Sequence, residues 1–227
     1  MRYFVGADIG QSPDPSAVVA IKRVEELRAK QSPPGTIAWD REPQLIVSKY
    51  QGQLLKEYPL GTKYDVVVQD CVKLMHHPQL ARQSVLIVDA TGVGRPVIEM
   101  MNMNRLAPIG VTITGGTSIN QHPLGYTVPK RDLVTALQVL FQTSRIELSG
   151  KIPETQMVID QLQRLTMKIN DHGNDQYGLE REEGNHFDLA IALALAAWYA
   201  ERAYPALRKD EIQKPIREDF DPLRHGL

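Results

Sequence analysis

Tyr3 to Ile9 (YFVGADI) is a short apolar run closed by Gly10 and the turn-rich QSPDP, which predicts a strand. Ala17 to Val24 predicts a second strand and Gln44 to Gln51 a third. Between them, residues 25–43 shift to charge and to Pro33-Pro34-Gly35, the pattern of a long mobile hairpin loop. Thr62 to His76 sets Val67, Val68, Cys71, Leu74 and Met75 at helical spacing. Ser84 to Asp89 (SVLIVD) is almost continuously apolar, as in a strand covered on both faces. After the turn ATGVGR come a helix from Pro96 to Met103, a strand from Pro108 to Thr114 and a GGTS loop. Pro129 opens an amphipathic helix to Thr143 with Leu133, Leu137, Leu140 and Phe141 as its apolar stripe. A short strand (Arg145–Ser149), a helix (Pro153–Leu165) and a hairpin of Thr166–Asn170 with Gln176–Glu180 follow. His186 to Arg202 predicts the last helix, and the Pro- and charge-rich segment beyond it a loosely held tail. Strands early, helices late and a buried central strand predict an α/β layer fold, one domain over residues 1–202 with a tail at 203–227.

Composition narrows the class. The 227 residues are 42% hydrophobic and 23% charged, which is ordinary globular usage and excludes wholesale disorder. Lys and Arg number 26 against 27 Asp and Glu, so a nucleic-acid surface has to be a local patch. Cys71 is the only cysteine, which excludes an intramolecular disulfide and suits a reducing compartment. No apolar run approaches the roughly 20 residues of a membrane span, and MRYFVGADIG meets Asp8 too early for a signal peptide. The chain reads as a soluble intracellular protein.

Three carboxylates stand out. Asp8 closes an apolar strand, and Asp89 repeats the arrangement before a glycine-containing turn. An Asp before a turn glycine is also an ordinary turn residue, but two buried strands ending alike is a pattern. If they are parallel neighbours, both side chains enter the crevice where open α/β sheets bind ligands. Asp188 is the only charged residue from Phe187 to Ala200 (FDLAIALALAAWYA), a segment apolar on every helical face. A lone carboxylate there needs a partner or its neutral form. With Asn185 as N-cap it is alternatively an N3 acid favoured by the helix dipole. Three converging carboxylates raise one another's pKa unless a cation neutralises them, and all-oxygen ligation suits Mg²⁺ or Mn²⁺ over zinc. His186, two residues before Asp188, points away from it on a helix. That argues against a zinc pair and leaves His186 flanking the site or simply on the surface.

The segments GADIGQSPDPSAVVAI, IVDATGVGRPVIEMM, YTVPKRDLVTALQVLFQTSRIEL and HFDLAIALALAAW occur in the order found in phage terminase large subunits. The chain resembles their C-terminal nuclease domain over roughly Arg2 to Arg202. The resemblance implies an RNase H-like fold, a mixed central sheet flanked by helices. It also implies a metal-dependent endonuclease that cuts double-stranded DNA in viral genome packaging, with Asp8, Asp89 and Asp188 on the family's acidic positions. Asp14, in QSPDP, matches a further acidic position and His186 borders the set. The implied cofactor is Mg²⁺ or Mn²⁺, as two ions. The implied partners are DNA, a terminase small subunit, a portal protein and an ATPase domain, in the cytoplasm of an infected host. Phe187 stands where the family often has a second acidic residue. Lys130 and Arg131, opening a helix at VPKRDLV, are DNA-backbone candidates as well as ordinary residues of a solvated first turn; Arg95, beside the glycine-rich turn, is another candidate.

Two other readings compete. DIGQS is similar to the phosphate-binding turn of sugar kinases and actin-like ATPases, which need two such domains around a nucleotide. A non-catalytic module that grips DNA or docks on a portal or procapsid, its acidic cluster vestigial, is the other. No GxxxxGK[ST] phosphate loop occurs in the sequence, so the chain as given is expected to hydrolyse no ATP. DNA-stimulated phosphate release above a mock preparation overturns this.

Overall fold

Strand β1 (Tyr3–Asp8) alternates side chains between two apolar layers, and the rest of the molecule is arranged around it. A computed structural model of the chain describes residues 2–10, 14–29, 44–92, 94–164, 166–169, 175–178, 187–204 and 207–208. The elements that follow β1 are β2 (Ala17–Ala29), β3 (Gln44–Glu57), α1 (Tyr64–His76), β4 (Ser84–Asp89), α2 (Gly94–Met103), β5 (Ile109–Thr114), β6 (Asn120–His122) and β7 (Gly125–Pro129). The remainder are α3 (Lys130–Gln142), β8 (Ile146–Glu147), α4 (Thr155–Gln163), β9 (Thr166–Ile169), β10 (Asp175–Gly178), α5 (Asp188–Ala203) and β11 (Leu207–Arg208).

The main sheet has the order β11-β3-β2-β1-β4-β5-β7-β6, with β8 also on β3. β1 is antiparallel to β2 and β2 to β3, whereas β1, β4, β5 and β7 run parallel. The mixed sheet expected from the sequence is therefore the sheet found. Phe4, Val19, Ile21, Ile87, Val111 and Val128 pack with α3, α4 and α5 on one face. Tyr3, Val5, Ala7, Leu86 and Val88 pack with α1 and α2 on the other. β4 is thus covered on both sides, as its unbroken apolar run predicts.

Several boundaries depart from the sequence reading for physical reasons. β2 runs on to Ala29 because residues 25–29 complete the ladder of β3 residues 44–48 outside the core, and β3 runs on to Glu57 because residues 52–57 pair with the buried start of β2, Ala17 to Ile21. Lys49 Nζ lies 2.6 Å from Glu26 Oε2 across the pair. The rest of the expected mobile loop, 30–43, lies outside the described residues, as does most of the expected tail, of which β11 adds a rung to β3. β6 and β7 were not predicted; Pro123 and Gly125 mask a polar hairpin whose backbone partner is β5. The α3 stripe is Leu133, Val134, Leu137 and Leu140, while Phe141 is 38% exposed. The β9–β10 hairpin pairs as expected.

Helix α5 is buried from Asp188 to Trp198. It approaches β1 so closely that a Cβ on Gly6 would lie 1.9 Å from the Ala192 carbonyl oxygen and 3.1 Å from the Ala196 nitrogen. Only glycine permits this approach. Near the other end of α5, the Arg145 guanidinium forks onto Glu201 at 2.7 and 2.5 Å, and the Tyr50 hydroxyl donates to the same carboxylate at 2.7 Å. Arg145 Nε donates to the Ser48 carbonyl at 2.9 Å, tying the helix to β3.

Gly6→Ala forces α5 off β1 and is expected to cost at least about 1–3 kcal/mol in denaturant unfolding. Gly150→Ala, where nothing lies within 4 Å of the added carbon, is expected to stay within about 0.5 kcal/mol.

Candidate active site at the carboxyl ends of the central strands

The parallel register of β1 and β4 pairs Ala7 with Val88. One step further along both strands come Asp8 and Asp89, side by side at the carboxyl ends. Strand alternation puts Asp8 on the face of Phe4 and Gly6, and Asp89 on the face of Ile87, which is the face covered by α5. Asp188 lies one helical turn before Ala192, the residue seated against Gly6. The topology therefore brings the three sequence-predicted carboxylates toward one crevice.

Asp188 is 8% exposed and is the first residue of α5, with Phe187 at the N-cap position and no side-chain cap from that residue. This corrects the expected placement of Asp188 at N3; Asn185, the expected cap, and His186 lie outside the described residues. The capping function comes from elsewhere. Gln161 of α4, itself 6% exposed, accepts a hydrogen bond from the Ala190 nitrogen at 3.0 Å and donates to Glu57 Oε1 at 3.3 Å. Phe187 is buried, and its carbonyl accepts from the Ile191 nitrogen at 2.9 Å.

Electrostatics make Asp8 the hub. Desolvation raises its pKa well above the ordinary carboxylate range, and the charges of Asp89, Asp188 and Asp14 push the same way, while Lys130 opposes them. Asp89 is also raised, mainly by desolvation, against the lowering effect of its hydrogen bonds with Thr91 and of Lys130. Lys130, half-buried at the start of α3, thus directs its charge at two of the carboxylates. Arg131 donates to the Thr117 carbonyl at 3.2 Å and pairs with Asp132 at 3.4 Å, so it braces the β5–β6 loop. Arg95 is exposed in the first turn of α2, on the face of the sheet opposite α5. Asp14 is exposed and borders a cavity of about 290 Å³ that Gly10, Ser16, Thr62 and Lys63 also line.

Sequence reasoning missed Thr91, whose nitrogen donates to Asp89 Oδ1 at 2.7 Å. It also passed over Gln161, which had no signal in the pattern of α4. The glycines of the turns have steric roles: a Cβ on Gly94 would lie 1.9 Å from the Asp89 carbonyl oxygen, and one on Gly10 2.0 Å from that of Pro15. Among the described residues, no three His, Cys, Asp or Glu side chains are gathered into a ready-made metal cluster. The carboxylates sense one another without closing up, as like charges do. Their donor chemistry, oxygen throughout, fits a hard divalent cation.

No family model and no curated protein sequence matches the chain. Solved structures do. The large terminase nuclease from thermophilic phage G20c superposes with a TM-score of 0.54 at 15% identity, covering 86% of this chain and 80% of that one. The same nuclease with bound magnesium gives a TM-score of 0.56 at 16% identity and equal coverage. The likeness is one of fold: the chain has the RNase H-like architecture of a large terminase nuclease.

Asp8 has its pKa raised above the unfolded value near 3.9, so the folded state holds its proton to higher pH than the unfolded chain. Its contribution to stability is fully present at low pH and is lost as pH rises through the raised folded value. Asp8→Asn in EDTA is therefore expected to melt higher than the parent at pH 7, by about 2–4 °C for each kcal/mol of relieved repulsion. The gap closes toward pH 4. A mutant that melts lower at pH 7 contradicts this reading.

Proposed function

We propose that the protein is a divalent-metal-dependent endonuclease that cleaves double-stranded DNA during viral genome packaging. The observation that carries the proposal is the approach of Asp8, Asp89 and Asp188, from two parallel strand ends and a buried helix start, on the fold of a large terminase nuclease. Asp8, Asp89 and Asp188 would hold Mg²⁺ or Mn²⁺, as one ion or a pair, with Asp14 and His186 at the margin. The structure of a similar nuclease with bound magnesium supports this choice of ion. Divalent ions in such a carboxylate site supply Lewis acidity toward a phosphodiester and lower the pKa of a bound water.

The chain's own groups set the conditions. The carboxylates concentrate negative charge at a crevice that would otherwise repel a phosphate. Lys130 offsets part of that charge and presents a cation to the incoming backbone. The apolar wall of α5 keeps Asp188 shielded, which strengthens every charge interaction it makes. Arg131, next to Lys130 on α3, would add a contact that positions the DNA backbone without reading its sequence. Arg95, exposed on the sheet face opposite α5, would contribute only where DNA wraps past the strand ends. No Ser, Cys or His nucleophile is needed. In the packaging motor the domain would act beside an ATPase domain, a small subunit and a portal protein, in the cytoplasm of the infected cell. Among the described residues no helix is long and apolar enough to cross a membrane.

Supercoiled plasmid incubated with Mg²⁺, Mn²⁺ or EDTA tests the proposal on a gel: nicked and linear products are expected with metal and none in EDTA. Asp188→Asn is expected to reduce cleavage by about 100-fold or more and to remove most of any Mn²⁺-induced rise in melting temperature. Its metal-free stability is expected to hold or rise. A mutant destabilised by about 0.3–1 kcal/mol yet fully active would make Asp188 merely a helix-dipole acid.

A further inference from the structure

At Asp89 the β4 ladder ends, yet the chain does not leave β5 at once. Ala90 donates to the Val111 carbonyl at 2.8 Å, and then the backbone turns. Two residues further along β5, the Ile113 nitrogen faces the place where β4 has run out. Its hydrogen bond goes instead to the Thr91 hydroxyl, at 2.9 Å. Thr91 thus supplies from a side chain the acceptor that the strand no longer offers. Its own nitrogen, held in place by that bond, donates to Asp89 Oδ1 at 2.7 Å. Gly94 closes the turn with a bond from its nitrogen to the Thr91 carbonyl at 3.3 Å, and its bare Cα lets the start of α2 press on the Asp89 carbonyl.

The geometry points to Thr91 as a positioning residue for Asp89. The hydroxyl anchors the turn to β5, and the anchored N–H fixes the carboxylate in one rotamer and engages one of its two oxygens. An Asp at a strand end otherwise loses side-chain freedom on binding a cation, which weakens the site. The requirement is for a hydroxyl at this position, not for a branched side chain, so Ser can substitute and the nearly isosteric Val cannot. Thr91 is exposed, so both variants are expected to fold. The inference rests on the reading of Asp89 as a metal ligand where it concerns metal, and on the hydrogen bonds alone where it concerns the turn.

Thr91→Val and Thr91→Ser, compared with the parent, give three readouts. The Mn²⁺ concentration that produces half the thermal stabilisation is expected to rise by about 10–100-fold in Thr91→Val, the range for residues that orient a ligand, and to stay near the parental value in Thr91→Ser. Plasmid cleavage at limiting Mn²⁺ is expected to fall in parallel and to recover partly at saturating Mn²⁺. In EDTA, amide hydrogen exchange at residues 91 and 113 is expected to accelerate together in Thr91→Val and to stay slow in Thr91→Ser. Unchanged exchange at residue 91, or an unchanged Mn²⁺ midpoint in Thr91→Val, overturns the inference. If the parent itself shows no Mn²⁺ stabilisation and no cleavage, the nuclease reading fails. The exchange result then decides alone: joint acceleration supports the turn anchor and its absence overturns it.

Discussion

The seating of α5 on β1 sets the geometry on which the rest depends. A helix apolar on all sides has to be covered on all sides, and here the centre of the sheet, α3 and α4 do the covering. The closest approach is backbone to side-chain-free backbone, Ala192 and Ala196 over Gly6. That contact fixes where Asp188 stands relative to Asp8, and the parallel register of β1 with β4 fixes Asp89 beside it. The crevice is therefore set by packing far more than by attraction among its polar groups, which repel.

That repulsion is the electrostatic cost of the arrangement. Asp8 is pushed upward by burial and by three acidic neighbours, and Lys130 answers only part of it. The structure tolerates the strain because apolar burial holds the scaffold independently. The two hydrogen-bonded supports, Gln161 at the start of α5 and Thr91 beside Asp89, each satisfy backbone and side chain together. Neither contributes formal charge, so they order the site without neutralising it.

Much of this was legible in the chain. A carboxylate inside FDLAIALALAAWYA has few structural uses, and apolar runs ending in Asp mark strand ends without knowledge of topology. What the pattern concealed depends on distant partners. The outer arm of β2 reads as loop because its polar residues are ordered by β3 across the pair, as Glu26 is by Lys49. The β6–β7 hairpin is polar and carries Pro123, and Gly125, at φ +148°, sits against the Gly110 carbonyl, a fit visible only once β5 is in place. Gln161 looks like any helix-surface glutamine until α5 packs against it. Thr91 had a weak local signal, an Asp followed two residues later by a donor that closes an Asx turn. The fold of a large terminase nuclease was readable from four ordered segments even though identity to the solved nuclease, over the 86% of this chain that matches it, is 15%.

The α5 helix is marked at both ends, by Asp188 at its first turn and Glu201 in its last, with an apolar rod between them. A slip of one residue along its axis turns the helix by roughly 100°. It would bury Asp188 against hydrocarbon, swing Glu201 out of the Arg145 fork and drive a larger side chain into Gly6. The rod accordingly has one seat and no half-step. Control of the crevice by sliding or rotating its floor is closed off by this design. What remains adjustable is the charge at the rim, which Lys130 supplies from α3, while the floor stays put.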